Sequence, residues 1–193
     1  MQSSWACASG GRPDSICRSW LTRTLHPASY TGLDLNPTGI AFCKKRHQVP
    51  GLRFVQGDAQ SLSFPPQTFD AVINVEASHC YPDFSGFLAK VARVLKTCGH
   101  FLYADFRFRD QWAEWEQAIA QAPLDIVQTR DIRPEVLRGM ETNAARSEAL
   151  ICQRLPKFLH SLGRDFAGLP GARVYEALKS GELSYRSWCF RKP

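Results

Sequence analysis

Two short runs constrain this chain more than anything else in it. Tyr30-Thr31-Gly32-Leu33-Asp34-Leu35-Asn36 is echoed further on by Phe54-Val55-Gln56-Gly57-Asp58-Ala59. Each reads as a buried strand that closes on a carboxylate, with a helix-like stretch between the two. In an open α/β sheet, ligands bind outside the carboxyl ends of the strands, so acids placed there face a crevice. Two of them on successive strands suit a ligand that carries a ribose and an adenine. Asp34 can accept from both ribose hydroxyls. Asp58 can accept from the exocyclic amine, while the neighbouring backbone N–H of Ala59 reads a ring nitrogen. The competing readings are a helix cap for Asp34 and a turn-forming role for Asp58.

The periodicities alternate between strand and helix. Residues 15–25 suit a helix and 30–35 a strand. Asn36 then caps a helix that opens on Pro37, with Ile40, Ala41 and Cys43 on its inward side. Leu52 to Gln56 reads as a strand, and Pro65-Pro66 marks a loop. Phe69 to Val75 is nearly continuous apolar sequence, as in a parallel strand covered on both faces. Phe84, Phe87, Leu88, Val91 and Leu95 keep helical spacing up to the turn Thr97-Cys98-Gly99, and His100 to Phe106 is the next strand. Further helices are expected at 111–120, from Pro134 to Arg138, over 143–163 with a break at Pro156, and at 173–179. Strands are expected at 126–132 and 183–190. This order implies parallel strands with right-handed crossovers. Residues 1–193 suit one domain, with 1–20 atypical and 107–180 a helical region on the substrate side.

The bounds agree with that class. A charged fraction of 22% and an apolar fraction of 44% are ordinary globular values. No apolar stretch reaches the length of a membrane span, and no secretory h-region opens the chain, so a cytoplasmic protein is expected. The net charge of +6 is dispersed. Its densest cluster, Lys44-Lys45-Arg46-His47, falls on a helix as a solvated face, so nucleic acid is not expected as a partner. The seven cysteines have no metal-ligand spacing, so free thiols and no metal are expected. Trp112 and Trp115 suit core or lid packing.

Gly32-Leu33-Asp34-Leu35, Gly57-Asp58-Ala59, Phe69-Asp70-Ala71-Val72 and Val94-Leu95-Lys96 resemble the successive motifs of class I S-adenosylmethionine-dependent methyltransferases. Asn74-Val75-Glu76-Ala77-Ser78-His79-Cys80-Tyr81-Pro82, Phe101 to Arg107 and Gly181 to Arg186 carry a closer likeness, with Glu76 to Tyr81 its most specific part. They resemble the mycobacterial phthiotriol/phenolphthiotriol dimycocerosate methyltransferases over roughly residues 20–192. The resemblance implies a Rossmann-like, mostly parallel α/β sheet and S-adenosylmethionine as cofactor. It adds Asn74 to the cofactor-binding set of Asp34, Asp58 and Ala59. The implied reaction is O-methylation of a long-chain lipid hydroxyl in cell-envelope lipid biosynthesis. A lipid partner then brings contact at the inner face of the membrane into the expectation.

Such a reaction needs alignment and a proton acceptor, because a neutral alcohol is a weak nucleophile. His79, just past the fourth strand, is the candidate base, since imidazole exchanges protons near neutral pH. A hydrogen-bonded structural histidine is the alternative. Glu76 is expected to orient His79, contact substrate or face the sulfonium. The family's Gly-rich loop after the first strand is poorly matched. Ungapped counting puts Ser9 at its acidic position and Gly11, Pro13 and Ser15 at its glycines. Only Trp5-Ala6-Cys7-Ala8 is available as a first strand, and it has poor β-branched content. The sheet is therefore expected to lack a proper first strand and loop, the beginning to be altered or truncated, and the chain as written to show little turnover. The other readings are an inactive remnant of such an enzyme and, behind it, an NAD-dependent oxidoreductase.

Overall fold

The structure, a computed structural model, describes the backbone of Ser4–Ser9 and residues 26–193. Seven strands form one sheet in the order β3-β2-β1-β4-β5-β7-β6. They are β1 Ser4–Ser9, β2 Ser29–Asp34, β3 Leu52–Gln56, β4 Phe69–Val75, β5 Leu95–Phe108, β6 Asp125–Asp131 and β7 Leu183–Arg191. The pairs β1–β2, β1–β4, β2–β3 and β4–β5 are all parallel. The expected α/β sheet is therefore present.

One expectation about it is corrected. β1 occupies the central slot, with Ala8 in register with Leu33 on one side and Asn74 on the other. A strand between two partners is held by its backbone ladder, which does not require β-branched side chains. The edges of β2 and β4 are accordingly paired. The helix expected at 15–25 and the loop positions Gly11, Pro13 and Ser15 lie outside the described residues.

Helix α1, Pro37–Arg46, starts as its sequence dictates. Asn36 Oδ1 accepts from the backbone N–H of Thr38 (2.9 Å) and of Gly39 (3.4 Å), and Pro37 fills the first turn, where no intrahelical donor is needed. Lys44, Lys45 and Arg46 crowd its last turn, where cations oppose the helix dipole. That gives the basic cluster a structural role. Helix α2, Phe84–Val94, is capped by Asp83 Oδ1 on Gly86 N (2.8 Å) and buries Phe87, Leu88, Val91 and Val94 against the sheet.

β5 runs longer than expected. Its register with β4 jumps between Phe69–Leu95 and Ala71–His100, so the turn-like Thr97-Cys98-Gly99 is a bulge within a continuing strand. Gly99 is required there, because a Cβ would lie 2.8 Å from the carbonyl of Lys96. Helix α3, Trp112–Ala120, supplies Trp115, which packs edge-on to Trp188 with centroids 4.7 Å apart. Tyr103 stacks on Trp188 and Phe101 on Phe190, which places one aromatic core on this face of the sheet.

The chain divides into two compact units. Met1–Asp105, Glu114–Thr129 and Ser187–Pro193 form the first; Phe106–Ala113 and Arg130–Arg186 form the second. In the second, helix α4 runs unbroken over Arg133–Arg154, where two helices separated by a gap were expected. Nothing between 138 and 143 stops a helix: Gly139 weakens one by about 1 kcal/mol without ending it. Pro156 does divide the segment, and α5, His160–Ala167, follows, with α6 at Arg173–Ser180. Trp112 lies here, with the guanidinium groups of Arg109 and Arg186 each 5.7 Å from its ring centre. Among the described residues no helix is long and apolar enough to cross a membrane. Cys43, Cys80, Cys98, Cys152 and Cys189 form no disulfide.

Candidate functional site

Register brings the predicted acids to one end of the sheet. Asp34 closes β2 opposite Gln56, the last residue of β3, and the backbone of Gly57 donates to the Asp34 carbonyl at 3.0 Å. Asp58 follows directly. On the other side of β1, Val75 ends β4 beside Ala104 of β5, with Ser9 of β1 as its other neighbour. Strand order changes direction at β1, and a crevice at such a switch point is where an α/β sheet takes a ligand.

The crevice there is a cleft of about 560 Å³. One wall is Leu33, Asp34, Leu35, Asn36 and Pro37; a second is Gly57, Asp58, Ala59 and Gln60; the third is Glu76, Ala77, His79, Cys80 and Tyr81. Asp34, Asp58, Ala59, Glu76 and His79 are thus gathered into one place. All of them belong to the first unit.

Each acid also has a local duty. Asp34 Oδ1 accepts from the N–H of Asn36 at 2.9 Å, which squares the chain for its turn into α1, while the cap itself is Asn36. Asp58 Oδ1 accepts from Gln60 N at 2.8 Å and opens the short 3-10 turn Ala59–Ser61, in which Ala59 is buried. A carboxylate offers about four acceptor sites, so a backbone bond does not by itself exclude a ligand at either acid. The local readings and the ligand readings are compatible.

Glu76 sits at the end of β4 with φ +49°, a left-handed conformation that non-glycine residues rarely adopt. Its N–H donates to the Ala104 carbonyl at 2.9 Å, so the turn that leaves β4 is locked to β5. The chain then swings through the 3-10 turn Ser78–Cys80 and presents His79 in the cleft. Backbone strain held in place by neighbouring structure concentrates at functional sites.

The partner of His79 is Asp105, at the cleft end of β5. His79 Nδ1 lies 2.9 Å from Asp105 Oδ1, and the His79 backbone N–H donates to Oδ2 at 3.0 Å. Asp105 is fully buried, while the His79 side chain is 28% exposed. Ser78 Oγ donates to Asp105 Oδ2 at 2.6 Å and lies 2.7 Å from Tyr103 Oη, which accepts from Trp115 Nε1 at 2.9 Å. Of the three roles that the sequence leaves open to Glu76, the orienting bond at His79 Nδ1 is supplied by Asp105. Asn74 stands apart from the other predicted residues. It is fully buried behind the cleft, and its Nδ2 donates to Tyr81 Oη at 3.1 Å. Among the described residues, no three His, Cys, Asp or Glu side chains are grouped to hold a metal ion.

Comparison with known proteins follows the same lines. Residues 10–103 match the model of a methyltransferase domain. The chain is 52% identical over 187 residues to the phthiotriol/phenolphthiotriol dimycocerosates methyltransferase of Mycobacterium tuberculosis, a match covering 97% of this chain and 67% of that protein. It is 50% identical over 175 residues to the fatty-acid O-methyltransferase of Mycolicibacterium smegmatis, covering 91% and 63%. The similarity thus reaches further toward the N-terminus than residue 20. Among solved structures, a putative sarcosine dimethylglycine methyltransferase from Galdieria sulphuraria superposes with a TM-score of 0.82 at 13% identity, covering all of this chain and 79% of that one. The geranyl diphosphate C-methyltransferase of Streptomyces coelicolor gives 0.73 at 15%, covering 100% and 74%. These two likenesses concern the fold. With its sheet order, its acid-ended strands and its sequence in agreement, the chain belongs to the phthiotriol/phenolphthiotriol dimycocerosates methyltransferase family of class I S-adenosylmethionine-dependent methyltransferases.

Proposed function

We propose that this chain transfers a methyl group from S-adenosylmethionine to the hydroxyl of a long-chain lipid of the phthiotriol or phenolphthiotriol dimycocerosate type. The observation that carries the reading is the convergence of Asp34, Asp58 and His79, the last held by Asp105, on a single cleft at the strand ends. The residues fit a nucleoside. Asp34 at the end of β2 can accept from ribose hydroxyls, and Asp58 beside buried Ala59 from the adenine edge. Leu33, Pro37, Ala77 and Tyr81 give the same cleft apolar surface for the rings. Asn74 Nδ2 donates to Tyr81 Oη and steadies that wall of the cleft.

When bound, S-adenosylmethionine supplies a methyl on positive sulfur, which leaves its bonding pair behind on a neutral thioether. The chain's residues then have two tasks, holding the hydroxyl in line and taking its proton. His79 is the proton acceptor. Glu76, on the same wall of the cleft, is left to contact substrate or to face the sulfonium charge.

The test is calorimetric titration with S-adenosylmethionine, followed by a radiolabelled methyl-transfer assay on a lipid bearing a free secondary hydroxyl. Saturable binding and label in the lipid ether are expected. No binding at millimolar cofactor returns the chain to the reading of an inactive remnant, and transfer to a carboxylate in place of a hydroxyl moves it toward the fatty-acid enzymes.

A lipid substrate also brings the protein to a membrane surface, and the second unit offers a face for it. Phe158 and Phe166 are 83% and 78% exposed, and Leu162 between them is 66% exposed. Their four-residue spacing lines them along one side of the segment 157–167. Arg154 and Lys157 are nearby, and Asp165, the acid within that segment, accepts from the Arg173 backbone N–H at 3.3 Å. An apolar ridge with cations beside it suits an anionic bilayer at the inner face of the cell membrane. Phe158→Ser with Phe166→Ser should reduce cosedimentation with phosphatidylglycerol vesicles by on the order of tenfold. Equal cosedimentation of the double variant removes this face from the account.

A further inference from the structure

We infer that Asp105 is a positioning residue of the methyl transfer, and that the chain of hydrogen bonds behind it fixes which nitrogen of His79 carries the proton. The inference rests on the proposed role of His79 as proton acceptor and supplies what that role leaves open, since an imidazole can present either ring nitrogen.

The direction of each bond follows from counting donors. Trp115 Nε1–H is a donor only, so at 2.9 Å Tyr103 Oη must accept from it. Ser78 has one hydroxyl proton, and Asp105 Oδ2 at 2.6 Å is the carboxylate oxygen that takes it. The Tyr103 proton must then go to Ser78 Oγ across 2.7 Å. The His79 backbone N–H adds a second donor to Oδ2 at 3.0 Å. Every bond in this series points toward Asp105, so the fully buried carboxyl is the accepting end of the array. The one consistent role for His79 Nδ1, 2.9 Å from Oδ1, is that of donor. Nε2 is then the nitrogen that takes up a proton.

Each part of the array has a physical reason to be where it is. Tyr103 and Asp105 alternate with Ala104 on β5, so both side chains reach the same face. Trp115 anchors the far end from within the aromatic core, where Trp188 and Tyr103 hold its ring. When the lipid hydroxyl gives its proton to Nε2 as the new oxygen–methyl bond forms, His79 becomes an imidazolium. Its charge then sits beside a carboxylate already desolvated and already held by other donors. Little reorganisation is needed at that moment, which is the property that makes fixed polar groups effective in catalysis.

The decisive measurement is the tautomer of His79 in the chain labelled with nitrogen-15, read from two-bond proton–nitrogen correlation spectra near neutral pH and assigned with His79→Gln. The Nδ1–H form is expected. An Nε2–H form overturns the inference whatever the chain methylates, so this outcome is separable from failure of the proposed activity. Asp105→Asn is the second arm. Its amide can present a donor to Nδ1, so the Nδ1–H signal should be lost and kcat should fall by on the order of 10² or more, with KM for the cofactor little changed. Wild-type kcat in a folded Asp105→Asn chain also overturns it. Ser78→Ala leaves the Oδ1–Nδ1 bond in place and should keep the Nδ1–H signal; loss of that signal in Ser78→Ala would place the control at Ser78 in place of Asp105.

Discussion

Replacing His79 with alanine should lower turnover by on the order of 10²–10⁴ while leaving the affinity for S-adenosylmethionine nearly intact. The range is what a positioned general base contributes when the nucleophile is a neutral alcohol. The expectation has a structural ground: His79 reaches the cleft on a 3-10 turn, its ring tied from behind by Asp105 and its backbone N–H tied to the same carboxylate. Removing the imidazole costs the base and leaves the walls that bear Asp34 and Asp58 unaltered. Pre-steady-state methyl transfer, measured beside calorimetric cofactor titration, separates the two effects. A variant that loses cofactor affinity and turnover together would assign His79 to binding. Unchanged turnover would transfer the proton to another group, with Glu76 next, since it shares the wall and is held in a strained conformation.

Much of the fold could be read from local sequence, and the exceptions have physical causes. Phe69–Val75 matches its expected bounds because a parallel strand covered on both faces is nearly apolar along its length and stops where polar sequence begins, while the edge strand Leu52–Gln56 is set off by Pro50-Gly51 before it and Gly57 after it. Asn36 and Pro37 start α1 where they should, because cap chemistry is local. β1 is the instructive case. Trp5-Ala6-Cys7-Ala8 has little strand propensity of its own, yet it completes ladders on both sides. A central slot between two apolar strands rewards any backbone that can fill it, and propensity is the weaker influence. In β5 the turn signal at Thr97-Cys98-Gly99 is real, but tertiary pairing carries the strand through it as a bulge.

The site was legible to the same depth. Asp34 and Asp58 announce themselves as acids that end apolar strands, and the register of β2 with β3 is enough to bring them together. Asp105 follows Phe101-Leu102-Tyr103-Ala104 at the point where β5 leaves its pairing with β4, three residues before the strand itself ends. Its pairing with His79 spans 26 positions and depends on the parallel register of β4 with β5 and on the turn at Glu76. Nothing in the spacing of the two residues expresses that. The array from Trp115 through Tyr103 and Ser78 is likewise visible only once α3 is packed on the sheet. Asn74 belongs to a specific-looking motif, and its alternation along β4 brings its Nδ2 to Tyr81 Oη, a contact that the motif does not express.

Asp34 carries the other large expected effect. Asp34→Ala should abolish measurable binding of S-adenosylmethionine. Each hydrogen bond from a ribose hydroxyl to a carboxylate is worth about 1.5–3 kcal/mol, so losing two weakens binding by roughly 10²–10⁴. The alanine variant also removes the bond from the Asn36 N–H, so its effect on binding has to be separated from an effect on the turn. Asp34→Asn does this. The amide oxygen can keep the Asn36 bond, while the charge and one acceptor are lost, so thermal unfolding should stay close to wild type as cofactor affinity falls by about tenfold or more. Asp58→Asn should act more mildly, because it changes a single contact to the adenine edge and the same oxygen can still cap the turn at Gln60. Cofactor titration of the three variants, each with its unfolding curve, is the measurement. If Asp34→Asn binds as well as wild type, the end of β2 is a structural turn, and the ribose must find its acceptors elsewhere in the cleft.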